Sequence, residues 1–181
     1  SMSNLAAALG WALVDVCEHP SSLARVRAGE SDFVRRCALE STRMAQRSIM
    51  SRAVLSPVCM DTGDAQYEVP AGWTIATLLP LLNTSATPDL AHWDPDRWTG
   101  HRLRDTHSLG SAVMVTAFGH GKHSCPAQPF SLAAMTAAMT FLLDRFHMTP
   151  MWAEHPRPVP AQIGGVARAA DPCLLSYVTR R

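Results

Sequence analysis

The stretch FGHGKHSCPAQPF, Phe118 to Phe130, sets two glycines and two histidines ahead of a single cysteine, with a long apolar run of small residues behind it. Gly119 and Gly121 allow backbone conformations closed to other residues and let the chain pass close to something flat and large. Cys125 stands just before Pro129, a residue favoured in the first turn of a helix. There the positive end of the helix dipole and free backbone N–H groups favour a thiolate over a thiol. Such a sulfur suits a metal. The competing reading is an inert core thiol, because free cysteine is among the most buried residue types. A zinc site of His120, His123 and Cys125 is disfavoured, since the two-residue steps are tight and no fourth ligand stands nearby.

The rest of the chain bounds what such a site belongs to. Its 181 residues, 47% hydrophobic and 17% charged, suit one ordinary domain with its own core. Sixteen Lys plus Arg against 15 Asp plus Glu leave no large field to draw nucleic acid or anionic membrane. No apolar run approaches bilayer length, and SMSNLAAALGWALV lacks the basic flank of a secretory signal, so a soluble, cytoplasmic chain is expected. The five cysteines, Cys17, Cys37, Cys59, Cys125 and Cys173, are odd in number, scattered and without a CxxC pair. That argues against a disulfide framework and for a reducing compartment.

The pattern along the chain predicts helices, a turn-rich middle, and a final helix. Ser3 to Val16 reads as a helix that EHP ends at Pro20, because proline disfavours helical geometry in the residue before it. Ser21 or Ser22 is placed to cap a second helix through about Ala28, and Asp32 a third through Ile49. Residues 53–80 read as a small sheet around a DTGD turn, and Asn83 to Thr116 as mainly loops. Pro129 to Phe146 reads as a buried helix, and LLSYV as a closing strand. There is no internal repeat and no linker between domains.

Within the cysteine loop, Phe118, Gly121, His123 and Cys125 fit a known spacing: Phe, two residues, Gly, one residue, Arg or His, one residue, Cys. The loop thereby resembles the haem-binding loop of the cytochrome P-450 superfamily. The resemblance implies haem b as cofactor and Cys125 as its axial thiolate, pushing electron density onto iron so that an O–O bond can break. It implies that His123 meets a haem propionate, with Phe118 and Gly121 shaping the loop. Ala127 departs from the pattern, standing where Gly is usual, and its methyl is expected to crowd the helix start. Two further stretches stand in the family's order. ALESTRMA carries Glu40 and Arg43, three residues apart and so on one helical face. HWDPDRW places Arg97 at the arginine of the Pro-x-Arg-Phe-like motif, with Trp98 for the aromatic. Glu40, Arg43 and Arg97 would form the buried triad that holds the loop under the haem. RSIMSRAVLS resembles the strand lining the active site, with Arg52 as a second propionate partner, and QIGGVA resembles the hairpin whose tip touches substrate.

The implied fold is mainly α with a small β-sheet, the C-terminal portion of the cytochrome P-450 fold. All of 1–181 is read as the haem-binding part of one domain, with the N-terminal half absent. The implied activity is monooxygenation of a lipophilic small molecule, with electrons from a redox partner of the ferredoxin or flavin-reductase kind. The missing half would belong to the same parent or to a second chain. WDPDRW and the Cys125–Pro126 pair resemble the sterol-demethylating, bile-acid-forming and prostacyclin-synthase branch. Counting back seven residues from Trp11 puts Asn4 at the alcohol and Ser3 at the acid of the pair that the family uses to deliver protons. Neither is the usual residue, and a carboxamide cannot relay a proton as a hydroxyl does. A hydroperoxide- or endoperoxide-using isomerase or peroxygenase is therefore the alternative enzyme. A catalytically silent haem-binding fragment that needs a partner chain is the non-enzymatic one.

Overall fold

A computed structural model of the chain describes residues 2–30, 32–99, 102–103 and 115–180. The first helix, α1 (Met2–Glu18), runs through the Ala- and Leu-rich opening and stops before Pro20. Pro20 then starts α2 (Pro20–Arg27). The cap position belongs to His19 rather than to Ser21 or Ser22, because proline at the first helical position starts the helix two or three residues earlier. His19 Nδ1 instead donates to the Asp15 carbonyl at 2.7 Å, closing the end of α1.

The third helix, α3 (Phe33–Ala45), follows Asp32, whose backbone is left-handed (φ 63°) and whose side chain makes no cap hydrogen bond. It ends at Ala45, four residues short of the predicted Ile49. Gln46 is extended, and its Oε1 accepts from the backbone N–H of Arg47 (3.2 Å), that of Ser48 (3.4 Å) and the Ser48 hydroxyl (2.9 Å), turning the chain out of the helix. Side-chain oxygen bonded to local backbone competes with helical geometry in this way.

The predicted small sheet is two antiparallel ladders and starts earlier, at Ile49. The strands β1 (Ile49–Ala53), β2 (Val58–Asp61), β3 (Gln66–Val69) and β4 (Thr74–Leu78) pair as β1 with β4 and β2 with β3. The tight turn falls at the DTGD run, where Gly63 is left-handed (φ 85°) and donates to the Asp61 carboxylate at 2.8 Å. Helix α4 (Leu79–Ser85) begins within the stretch predicted as sheet and ends in the one predicted as loops, which also contains 3-10 turns at Pro88–Ala91 and Pro95–Arg97 and the short pair β5 (Trp98–Thr99) and β6 (Arg102–Leu103). Residues 104–114 of that stretch lie outside the described residues. The last helix, α5 (Gln128–Arg145), leads into β7 (Phe146–Pro150), which pairs antiparallel with β8 (Leu175–Thr179).

Helices α1, α3 and α5 share one core. From α3 it takes Phe33, Cys37, Ala38 and Leu39, from α1 Ala12 and Val16, and from α5 Met135, Met139 and Leu143. On α5 the buried residues are Leu132, Met135, Met139 and Leu143, at the three- and four-residue steps of a single stripe. The helix is therefore not buried all round: Phe130 (63%) and Phe141 (55%) are exposed. Each buried Leu or Met contributes on the order of 2 kcal/mol, so this stripe holds the start of α5, and with it Cys125, against α1 and α3. Among the described residues no helix is long and apolar enough to cross a membrane.

Candidate functional site

The polar face of α3 builds a node that joins three segments. Glu40 is fully buried, and both of its oxygens accept from Arg43, from Nη2 at 2.6 Å and Nε at 2.8 Å. Arg97 Nε donates to the same carboxylate at 2.9 Å, Trp98 Nε1 at 2.8 Å and the Asp94 backbone N–H at 3.0 Å. The local sequence aims Arg97: Asp94 accepts from the Asp96 N–H at 2.9 Å, capping the turn that Pro95 starts. Arg43, also fully buried, gives its remaining donors to the carbonyls of Asn83, Leu90 (2.9 Å) and His92 (3.2 Å) and to the Met44 sulfur (2.9 Å). The structure thus brings Glu40, Arg43 and Arg97 into contact.

Two residues not singled out from sequence extend this node toward the cysteine loop. Asn83 is fully buried, donates to the Arg43 carbonyl (3.2 Å) and the Thr116 carbonyl (2.9 Å), and accepts from the Thr116 N–H (3.0 Å). Gln46 Nε2 donates to the Ala117 carbonyl at 3.0 Å. A polar residue inside the apolar run LLPLLNTS was the signal for Asn83, since a buried amide needs partners. Gln46 carried no such signal.

The loop closes on itself. The Cys125 N–H donates to the Phe118 carbonyl at 2.7 Å across a 3-10 turn, Gly121–His123. Gly119 is left-handed (φ 74°), and a Cβ there would stand 2.7 Å from the His123 carbonyl oxygen, so only glycine fits. Ala127 takes the cap position of α5 with φ −86°, which any residue adopts, so its methyl asks nothing of the backbone.

Cys125 lines a cavity of about 560 Å³ between the loop, the start of α1, the end of α3 and β1. Leu5, Ala8, Ile49, Leu79, Phe118 and Val166 give apolar wall, while Arg52, His123 and Asn4 bring polar groups to it. Gly121 belongs to the turn but not to the wall. Ser3 is exposed and not part of the wall either, so of the Ser3–Asn4 pair only Asn4 reaches the cavity. Cys125 is also the one cysteine of five in the lining. Burial pushes the thiols of Cys17 and Cys37 up, which keeps them protonated and inert, and Cys59 is exposed on β2. A single thiol in an apolar cavity of cofactor size, with Arg52 and His123 at hand, can hold a flat apolar group that carries a metal and acidic edges.

Away from the cavity, Asp15 is buried on α1, and burial raises its carboxyl from 3.8 to about 6. Ser41, His155 and His19 oppose that rise.

The Cytochrome P-450 family model matches residues 31–176. The human 24-hydroxycholesterol 7-alpha-hydroxylase is 24% identical over 208 residues, an alignment covering 99% of this chain and 42% of the relative. The sterol 14-demethylase of Arabidopsis thaliana is 28% identical over 137 residues, covering 74% of this chain and 28% of the relative. The crystal structure of the cytochrome P450DA heme domain shares the fold with a TM-score of 0.76 at 21% identity, covering 98% of this chain and 41% of that one. This chain therefore spans well under half the length of the relatives it matches.

Proposed function

From the premise that this chain belongs to the cytochrome P-450 family, we propose that residues 1–181 are the haem-binding part of a haem-thiolate monooxygenase acting on a lipophilic small molecule. One observation carries the reading: Cys125 is the one cysteine in the cavity wall, and Arg52 and His123 stand in the same wall. The donor set fits haem b, with one thiol able to give the iron a thiolate, apolar walls for the macrocycle and basic side chains for its carboxylates. When bound, the haem would supply one-electron and dioxygen chemistry, with its potential and reactivity set by the thiolate.

The chain's own residues have distinct tasks. Cys125 binds through its sulfur, and the Cys125 N–H to Phe118 carbonyl bond holds that sulfur at the cavity. Arg52 and His123, in the cavity wall, would hold the carboxylate edges, and Phe118, Leu5 and Ala8 would exclude water from the apolar faces. Glu40, Arg43 and Arg97 position the loop rather than touch the cofactor. Electrons come from a redox partner of the ferredoxin or flavin-reductase type. The remaining substrate contacts come from further sequence, in the same parent or in a second chain. The names of the similar proteins support a sterol-like substrate class. The test is turnover of a sterol panel by the complete protein with a reductase and a ferredoxin, after its haem content has been measured. A folded complete protein that takes up no haem overturns the proposal.

A second reading is favoured by Asn4, which presents a carboxamide to the cavity where the family uses a proton-relaying hydroxyl. Substrates that already carry an O–O bond, or added peroxide, would then be handled at least as readily as dioxygen. Product formed per reducing equivalent, beside product formed from a hydroperoxide without reductant, separates the two. Tight coupling with dioxygen and no hydroperoxide activity refutes the second reading. A catalytically silent haem-binding fragment corresponds to haem uptake with neither activity.

A further inference from the structure

The tip of the segment after β7 is fastened to the connection between α3 and β1, and the residues beside it to the end of α3 and to α1. The Gly165 N–H donates to the Ser48 hydroxyl at 3.0 Å, and the Gly165 carbonyl accepts from the Arg47 N–H at 2.8 Å. On either side the Gly164 N–H donates to the Arg47 carbonyl (3.0 Å) and the Ala167 N–H to the Ala45 carbonyl (3.1 Å). The Ala167 carbonyl in turn accepts from Trp11 Nε1 at 2.6 Å, which ties the segment to α1. The backbone at Gly165 therefore has little room to move.

Against this fixed backbone stands the side chain of Asn4. A Cβ built on Gly165 would lie 2.6 Å from Asn4 Nδ2, 2.7 Å from its Cγ and closer still to its Oδ1. Both residues line the cavity that holds Cys125. We propose that Gly165 is a positioning residue for Asn4: its missing side chain is the space in which the Asn4 carboxamide stands, and this sets the hydrogen-bonding wall of the cavity. The ligand group that meets this wall is one able to pair with a carboxamide, an oxygen or nitrogen that gives or accepts a hydrogen bond. The proposal rests on the haem-thiolate reading of the cavity.

The geometry separates positioning from strain. A methyl at Gly165 would push Asn4 Nδ2 from 2.6 Å to at least the 3.4 Å at which ordinary contact begins. Because the carboxamide ends a flexible side chain, it moves easily, so the change is read at the cavity more than in stability. Gly165 is left-handed (φ 65°), and so is Gly164 (φ 94°), but a Cβ on Gly164 meets nothing within 4 Å. Gly164→Ala therefore carries backbone strain without the contact and serves as the control.

The experiment uses the complete holoprotein with imidazole as probe, its affinity read from the shift in cofactor absorption and its stability from the thermal midpoint. Gly164→Ala and Gly165→Ala should lower the midpoint by similar amounts. Gly165→Ala alone should change imidazole affinity, by about tenfold, the size of one lost hydrogen bond to the carboxamide. In an Asn4→Ala background the same Gly165→Ala change should leave affinity where Asn4→Ala puts it. Equal affinity changes from Gly164→Ala and Gly165→Ala, or a Gly165→Ala effect that persists in the Asn4→Ala background, overturn the proposal. A folded complete protein without thiolate-type absorption overturns the haem-thiolate reading itself, before any variant is compared.

Discussion

Replacing Glu40 should break the fold rather than slow turnover. Its carboxylate is fully buried and accepts from Arg43 twice, from Arg97, from Trp98 and from the Asp94 backbone. Glu40→Ala leaves the buried Arg43 guanidinium without its anion, a loss of roughly 3–5 kcal/mol. It also strands the Trp98 and Asp94 donors, at about 1–3 kcal/mol each. A typical domain has only about 5–15 kcal/mol in all, so the variant should be insoluble or haem-free. Glu40→Gln keeps one acceptor oxygen but turns an amide NH₂ toward donors, and should cost roughly 3–5 kcal/mol. Urea unfolding of the complete protein, with haem content measured on the same samples, reads both variants. A soluble, fully loaded Glu40→Ala with an unchanged midpoint and merely slower catalysis would refute the reasoning, because the node would then not be holding the loop.

Three other perturbations have expected outcomes. Asp15 is harder to ionise in the fold, with its carboxyl at about 6 against an ordinary 3.8, chiefly through burial. The stability it contributes is present below about pH 4 and is lost as pH rises through about 6, at most about 3 kcal/mol. Asp15→Asn should therefore gain more over the parent at pH 7 than at pH 4.5 in denaturant midpoints, and equal gains at both would contradict this. Asn83→Ala strands the Arg43 and Thr116 carbonyls and the Thr116 N–H, and should cost about 3 kcal/mol by urea unfolding, with an unchanged midpoint as the contrary result. Arg52→Ala combined with His123→Ala should speed haem loss to an excess of scavenger by on the order of tenfold, and an unaltered loss rate would remove both residues from the carboxylate edge.

The parts of the site that sequence revealed are those whose geometry is local. A three-residue step put Glu40 and Arg43 on one helical face whatever surrounded them, and two glycines before a cysteine and a proline marked the loop. What stayed hidden depends on pairs distant in sequence. Nothing within α4 shows that Asn83 reaches Thr116, and nothing near Gly165 names Asn4. The end of α3 was misread because Arg47 to Ile49 continue a plausible helix, and it takes the Gln46 side chain and pairing with β4, beyond the β2–β3 hairpin, to pull them away. The exposed face of α5 was misread because Ala, Thr, Met and Phe recur on all its sides, so composition conceals which stripe meets α1 and α3. Ser3 and Asn4 are neighbours in sequence, yet adjacent helical residues point about 100° apart, and one of the two faces the cavity.

The central claim is that Cys125 ligates iron through sulfur, and the visible spectrum of the reduced, carbon-monoxide-treated complete protein tests it most directly. The parent should give the thiolate-type band, and so should variants that replace Cys17, Cys37, Cys59 or Cys173 one at a time. Cys125→Ser should lose that band while remaining folded, and a Cys125→Ser protein that keeps it would contradict the account.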